Sequence, residues 1–184
     1  MGRQTNSDSV PGVSGPNGLD KKGVKMNKKN ICHGLEIARW IGVVLGFQLA
    51  FFKGANPQEQ LHIMAPWIVI SLAGLTGIES VFFGEAASEI TGYAPSAYQR
   101  QSGLNNLAVA ITAWMVFFFE WGTYAEIAVL STLLIFLFLS ACNHAWSAVK
   151  EQNYHVKNLL RPGMTALLIA FVLPCVIRAI RYIQ

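Results

Sequence analysis

Five long apolar runs dominate this chain, at residues 34–52, 63–83, 104–121, 125–149 and 163–183. Each has about the length at which an α-helix, rising 1.5 Å per residue, crosses a hydrocarbon layer about 30 Å thick. The fourth run is the most hydrophobic, centred on Leu133-Leu134-Ile135-Phe136-Leu137-Phe138-Leu139. Strands of a membrane barrel would need short segments of alternating polarity, and the runs do not alternate. Composition points the same way. The 184 residues are 53% hydrophobic and only 13% charged, about half the charge of an ordinary soluble domain, which leaves too little polar material to cover a water-facing surface. The expectation is an all-α membrane protein, a bundle of about five transmembrane helices over residues 34–184. Glu36 and Arg39 interrupt the first run near its start, where they would pair at i,i+3 or sit at the interface. Four spans plus an interfacial first helix is therefore the alternative. Pro66 falls in the first turn of the second run, where a missing N–H costs little.

Residues 1–33 read as a disordered basic tail, because glycines and prolines among Ser, Asn, Asp and Lys bury too little apolar surface to offset ordering. The tail has no apolar stretch of the kind a cleaved secretory signal carries. Arg3, Lys21, Lys22, Lys25, Lys28 and Lys29 face only Asp8 and Asp20 there, in a chain of net charge +4. With no interleaved aromatics, and directly before a hydrophobic helix, this charge reads as a juxtamembrane topology signal and not a nucleic-acid site. Arg100, Lys150, Lys157 and Arg161 fall on the same side of the bilayer as the tail, whereas the opposite loops hold only Lys53. The positive-inside rule then puts the N-terminus in the cytoplasm, with Arg178 and Arg181 at the far end snorkelling to the interface. Cys32, Cys142 and Cys175 are isolated, so neither a disulfide framework nor a zinc ribbon is indicated. No phosphate-binding loop, dinucleotide fingerprint, HExxH or GxSxG occurs.

Chemistry, if there is any, lies in the few polar residues the apolar runs tolerate. Glu79 sits inside the second run, and a carboxylate in a membrane is costly unless it faces the bundle interior and finds a partner. It could bind a proton, a metal or a ligand, or only fix packing. Glu85 and Glu89 are spaced i,i+4, on one face if the helix continues past Gly84, though the Glu-x-x-His partners of a di-metal site do not occur; no metal site is assigned. His144 lies at the cytoplasmic end of the fourth run, where a neutral imidazole could bind metal, shuttle a proton or hydrogen-bond a polar head group. Glu151 and His155 would share its stripe on an unbroken helix. His33 and His62 flank helix starts and read as interfacial. Asn105 and Asn106 open the third run beside Gln99, Arg100 and Gln101. By the topology above these residues converge with Glu85, Glu89 and His144 on the cytoplasmic side. A polar cluster at the mouth of an apolar bundle is the default ligand-site hypothesis.

The stretch Gly92-Tyr93-x-Pro95-x-x-Tyr98-Gln99-Arg100-Gln101-x-Gly103-Leu104-x-Asn106, followed by His144, Asn153, Asn158 and Pro174, resembles a family of small uncharacterised bacterial and archaeal integral membrane proteins, a domain of unknown function. The resemblance covers roughly residues 63–183. It implies a helical membrane fold in the cell (inner) membrane and singles out Glu79, Gly92, Tyr93, Pro95, Gln99, Arg100, Asn106, His144 and Asn153. Two departures weaken a charge-dependent role for the loop. Gln101 stands where an acidic residue is frequent, and Asn143 where glycine is usual.

The resulting candidate set is Glu79, Glu85, Glu89, Gln99, Arg100, Asn105, Asn106, His144 and Asn153. The favoured expectation is a non-enzymatic module that binds a small ligand, ion or partner subunit near the cytoplasmic face. A small enzyme acting on a lipid or quinone, with Glu79 and His144 as acid and base, is one alternative. An oligomeric transporter or channel is the other. No cofactor is specified; the bilayer is the expected partner, and a homo-oligomer or a membrane partner subunit stays open.

Overall fold

The computed structural model describes residues 18–94 and 96–184, with side chains from residue 28 onward. Among the described residues the chain is helical throughout, without strands. The helices are α1 (Gly18–Lys53), α2 (Pro57–Val69), a π-helical turn (Ile70–Gly74), α3 (Leu75–Phe82), α4 (Gly84–Thr91), α5 (Ala97–Phe118), α6 (Thr123–Lys150) and α7 (Val156–Ile183). The five apolar runs fall on helices, the second across α2, the π turn and α3 and the third extending past the end of α5, and the protein is an all-α multi-pass membrane bundle. By length and composition four helices can cross a bilayer: Lys28–Lys53 of α1, the rod Pro57–Phe82, α6 and α7. The apolar run that falls short is the third. Its helix, α5, has 22 residues but carries Gln99, Arg100, Gln101, Asn105 and Asn106 in its first half.

The charges that interrupt the first run have partners. Glu36 pairs with Lys157 of α7 and Arg39 with Glu79 of α3, so neither the expected i,i+3 pair nor an interfacial helix is needed. The tail boundary also moves. Residues 1–17 lie outside the described residues, and α1 is already helical from Gly18. Cys32 is fully buried beside Ala86 and Ala87, and Lys29 reaches Glu89 at 2.8 Å. These contacts tie residues expected in the tail to α4.

The rod from α2 through α3 is the centre of the bundle: half of its span is buried, against 22–28% in the other three. It packs on α1, α5, α6 and α7. It begins six residues before the expected run because Asn56 caps it. The Asn56 side chain accepts from Glu59 N, and Glu59 accepts in return from Ala55 N, both at 2.9 Å, a variant of the reciprocal capping box. Pro57 takes the first helical position, which needs no N–H. Pro66 therefore falls inside the helix and not in its first turn, and the π turn begins four residues after it.

Small residues let the helices approach closely. On α1, Gly42 and Gly46 face the rod. A Cβ on Gly42 would overlap Ser71, and one on Gly46 would lie 2.6 Å from Trp67 Cβ. On the rod's other side Gly77 meets α5, where an added Cβ would sit 2.9 Å from the Gly103 carbonyl. Leu61, Met64, Ile68, Leu130, Leu133 and Val172 form the dry core between these seams.

Candidate functional site

At one end of the bundle, α1, α3, α4, α5, α6 and α7 each turn a polar side chain toward a cavity of about 550 Å³. The periodicity of each helix explains the convergence. Glu36, Arg39 and Trp40 come from α1, and Leu72, Thr76 and Glu79 from the rod. Gln99, Ser102 and Asn106 come from α5; Phe136, Leu137, Ser140 and His144 from α6; Arg161, Thr165 and Leu168 from α7. The spacings are mostly three and four, with Arg39–Trp40 and Phe136–Leu137 adjacent, so each helix presents one stripe.

Two charge pairs frame the space. Arg39 and Glu79 are 8% and 6% exposed and hydrogen-bond through Arg39 Nη2 and Glu79 Oε2. Arg39 Nε has no partner among the described residues. Lys157 and Glu36 close the α7–α1 side. Mutual neutralisation is what allows four charges to sit this far inside an apolar bundle.

Opposite them a saturated network surrounds His144. Arg161 Nη1 lies 3.1 Å from His144 Nε2. A guanidinium can only donate, so Nε2 is the acceptor and His144 is neutral, with its proton on Nδ1. That Nδ1–H donates to Asn158 Oδ1 at 2.7 Å. The Tyr93 hydroxyl donates to the same oxygen at 3.0 Å and lies 3.1 Å from His144 Nδ1. Asn158, fully buried, donates through Nδ2 to the carbonyls of Asn153 (2.8 Å) and His144 (3.3 Å).

Tyr93 reaches this network because Gly92 ends α4 in the left-handed conformation, at φ +75°. A side chain there would be strained and would also collide with the His155 ring. Asn153 fastens the turn, donating through Nδ2 to Thr91 O at 3.2 Å and Gly92 O at 3.4 Å. On the α5 side Gln99 donates to Gly84 O at 2.9 Å and accepts from the Ser88 hydroxyl at 2.5 Å.

Asn106 differs from all of these. It is 4% exposed, lies on the cavity wall, and makes no hydrogen bond among the described residues.

Of the residues expected from sequence, Glu79, Gln99, Asn106 and His144 line the cavity, and Asn153 braces the turn beside it. The others lie elsewhere. Glu85 and Arg100 are exposed on a separate depression that Lys28 also lines; Glu89 pairs with Lys29 outside; Asn105 is exposed on the far face of α5. The stripe of His144, Glu151 and His155 does not form, since α6 ends at Lys150 and His155 caps α7. His62, expected as merely interfacial, pairs through Nδ1 with the buried Glu126 at the opposite end of the bundle. Sequence reasoning did not place Arg39 or Arg161 at the site; each was assigned to topology or local pairing.

The sequence pattern of a family of unknown function, DUF6790, matches residues 37–182, a stretch that contains every cavity-lining residue above except Glu36. No curated protein and no solved structure matches the chain.

Proposed function

We propose that this chain, which belongs to that family of unknown function, is a membrane module that binds a small polar ligand in the cavity between Arg39, Glu79, Asn106, His144 and Arg161. Asn106 carries the reading. Buried polar side chains are nearly always hydrogen-bonded, whereas the amide of Asn106, a residue 4% exposed, has no protein partner and opens to the cavity. The amide faces open volume of ligand size, so a ligand would supply the missing bonds. The cavity mouth lies on the cytoplasmic side in this reading, because Lys28, Lys29, Arg100, Lys150 and Lys157 gather at that end.

Binding is favoured over acid–base catalysis because the groups that would move protons are committed to the protein. The Glu79 carboxylate is held by Arg39, and both nitrogens of His144 are engaged. A general base needs a free lone pair within reach of substrate.

Native mass spectrometry of protein purified in neutral detergent tests the reading, with wild type beside Asn106→Leu. A species bound to wild type and depleted in the variant, at equal thermal stability, is the expected result. A wild-type protein that is empty under all conditions and indistinguishable from the variant would remove it.

A further inference from the structure

One charged side chain that lines the cavity has no ion-pair partner. Glu79 is matched by Arg39 and Glu36 by Lys157, and His144 is neutral by its hydrogen bonds. Arg161 remains. Its guanidinium lines the cavity, its hydrogen bond goes to a neutral imidazole, and no carboxylate within salt-bridge distance pairs with it among the described residues. The fields of Glu79 and Glu36 reach it, but a guanidinium without a direct ion pair inside an apolar bundle is still costly. Its remaining N–H groups match the oxygens of a phosphate or carboxylate.

The cavity also has a direction. On the rod it runs from Glu79 back to Leu72, on α6 from His144 back to Phe136, and on α7 from Arg161 on to Leu168. In each case the polar residue is at the cytoplasmic-side end and the apolar one lies seven or eight positions deeper, about 10–12 Å along the helix. Three helices therefore grade the space from charged to apolar in the same sense.

We propose that the ligand of this cavity is an amphiphile with an anionic head, phosphate or carboxylate, paired with Arg161, and an apolar tail lying toward Leu72, Phe136 and Leu168. The inference rests on the binding function proposed above and names its ligand class. A phospholipid and a soluble single-chain amphiphile share this chemistry, and the experiment separates them.

Full-length protein, delipidated in a neutral maltoside detergent, is titrated with octyl phosphate and with phosphatidic acid in mixed micelles. Octyl glucoside and diacylglycerol serve as uncharged matches. At least one anionic probe is expected to bind, roughly tenfold or more tighter than its uncharged match. Arg161→Gln is expected to weaken that binding by about tenfold or more, and Arg161→Lys, which keeps the charge, to retain most of it. Which anionic probe binds identifies the source as lipid or soluble. Where Arg161→Gln does not fold, the comparison of charged with uncharged heads on wild type decides. Equal affinity for charged and uncharged probes, or an Arg161→Gln variant that binds the anion as wild type does, overturns the proposal while leaving ligand binding at Asn106 intact. Failure of every probe to bind a protein that also purifies empty overturns both.

Discussion

Each end of the bundle buries a carboxylate, and the two are built differently. At the proposed cytoplasmic end Glu79 meets a permanent cation, Arg39, on another helix, and the pair borders a cavity with polar groups from six helical segments around it. At the other end Glu126, 4% exposed, meets His62, whose side chain is 41% exposed and stacks on Phe117 at 4.9 Å between ring centroids. None of these three residues lines the cavity. Both ends leave one buried polar atom without a partner, Arg39 Nε and Glu126 Oε2. A buried carboxylate alone therefore does not distinguish a site from a packing contact. What does is what the first end adds: open volume, an amide without a protein partner and a cation without an ion pair.

The largest effect expected from breaking this contrast is at Glu79. Glu79→Ala leaves Arg39 buried and unpaired, a loss of about 3–5 kcal/mol, measured by denaturation in a mild detergent. Arg39→Ala should cost a similar amount. The double variant should lose clearly less than the sum of the two, since it removes both charges. Simple additivity would mean that the two side chains do not depend on each other.

Next comes Asn158, whose amide is saturated. Asn158→Leu strands the His144 Nδ1–H and two carbonyls, for an expected loss of about 2–3 kcal/mol. Because the same amide orders Tyr93, ligand affinity should fall with stability. At the opposite end Glu126→Gln should cost only about 1 kcal/mol, since an amide oxygen still accepts from His62 and an uncharged NH2 takes the place of the buried orphan oxygen. Ligand binding should be unchanged in that variant. A loss of binding on Glu126→Gln would show the two ends to be coupled and the contrast between them to be false.

How much of this was legible in sequence depended on whether the signal was local. The helices were, because hydrophobic runs of spanning length state them directly. The start of the rod was also written, in Asn56-Pro57-x-Glu59, as was the α1 seam in Gly42-x-x-x-Gly46, although the run lengths alone pass over both. Glu79 and His144 stood out as polar residues in apolar surroundings. Arg39 and Arg161 did not, because each lies near a run end where a cation has an ordinary topological role, and their cavity-facing role depends on helices far away in sequence. Glu85 and Glu89 looked like site residues for want of a phase. On α4 it is Ala86, Ala87, Ser88 and Thr91 that are buried, which turns both carboxylates outward.

The pair Asn105 and Asn106 is the sharpest case of phase. Adjacent helical residues point about 100° apart, and of this pair Asn106 alone lines the cavity. The choice was readable: Gly103, Asn106, Ala110 and Ala113 recur at spacings of three and four, and all are buried. That places Asn106 on the packed stripe and Asn105 off it.

The smallest stability effect expected is at Asn106 itself, and it is the most informative, because Asn106 and Asn158 are the same residue type at nearly the same burial. Asn158 makes four hydrogen bonds and Asn106 none. Replacing a saturated amide removes bonds; replacing an empty one removes only a desolvation cost. Asn106→Leu in ligand-free protein should therefore stay within about 0.5 kcal/mol of wild type or be slightly more stable, while Asn105→Leu, on the exposed face, should change neither stability nor ligand retention. An amide kept in an apolar wall at no benefit to the fold is the pattern expected of a group retained for a ligand. A loss at Asn106→Leu as large as at Asn158→Leu would instead assign the amide to the packing of α5, and the polar end would differ from the Glu126 end only in the number of its bonds.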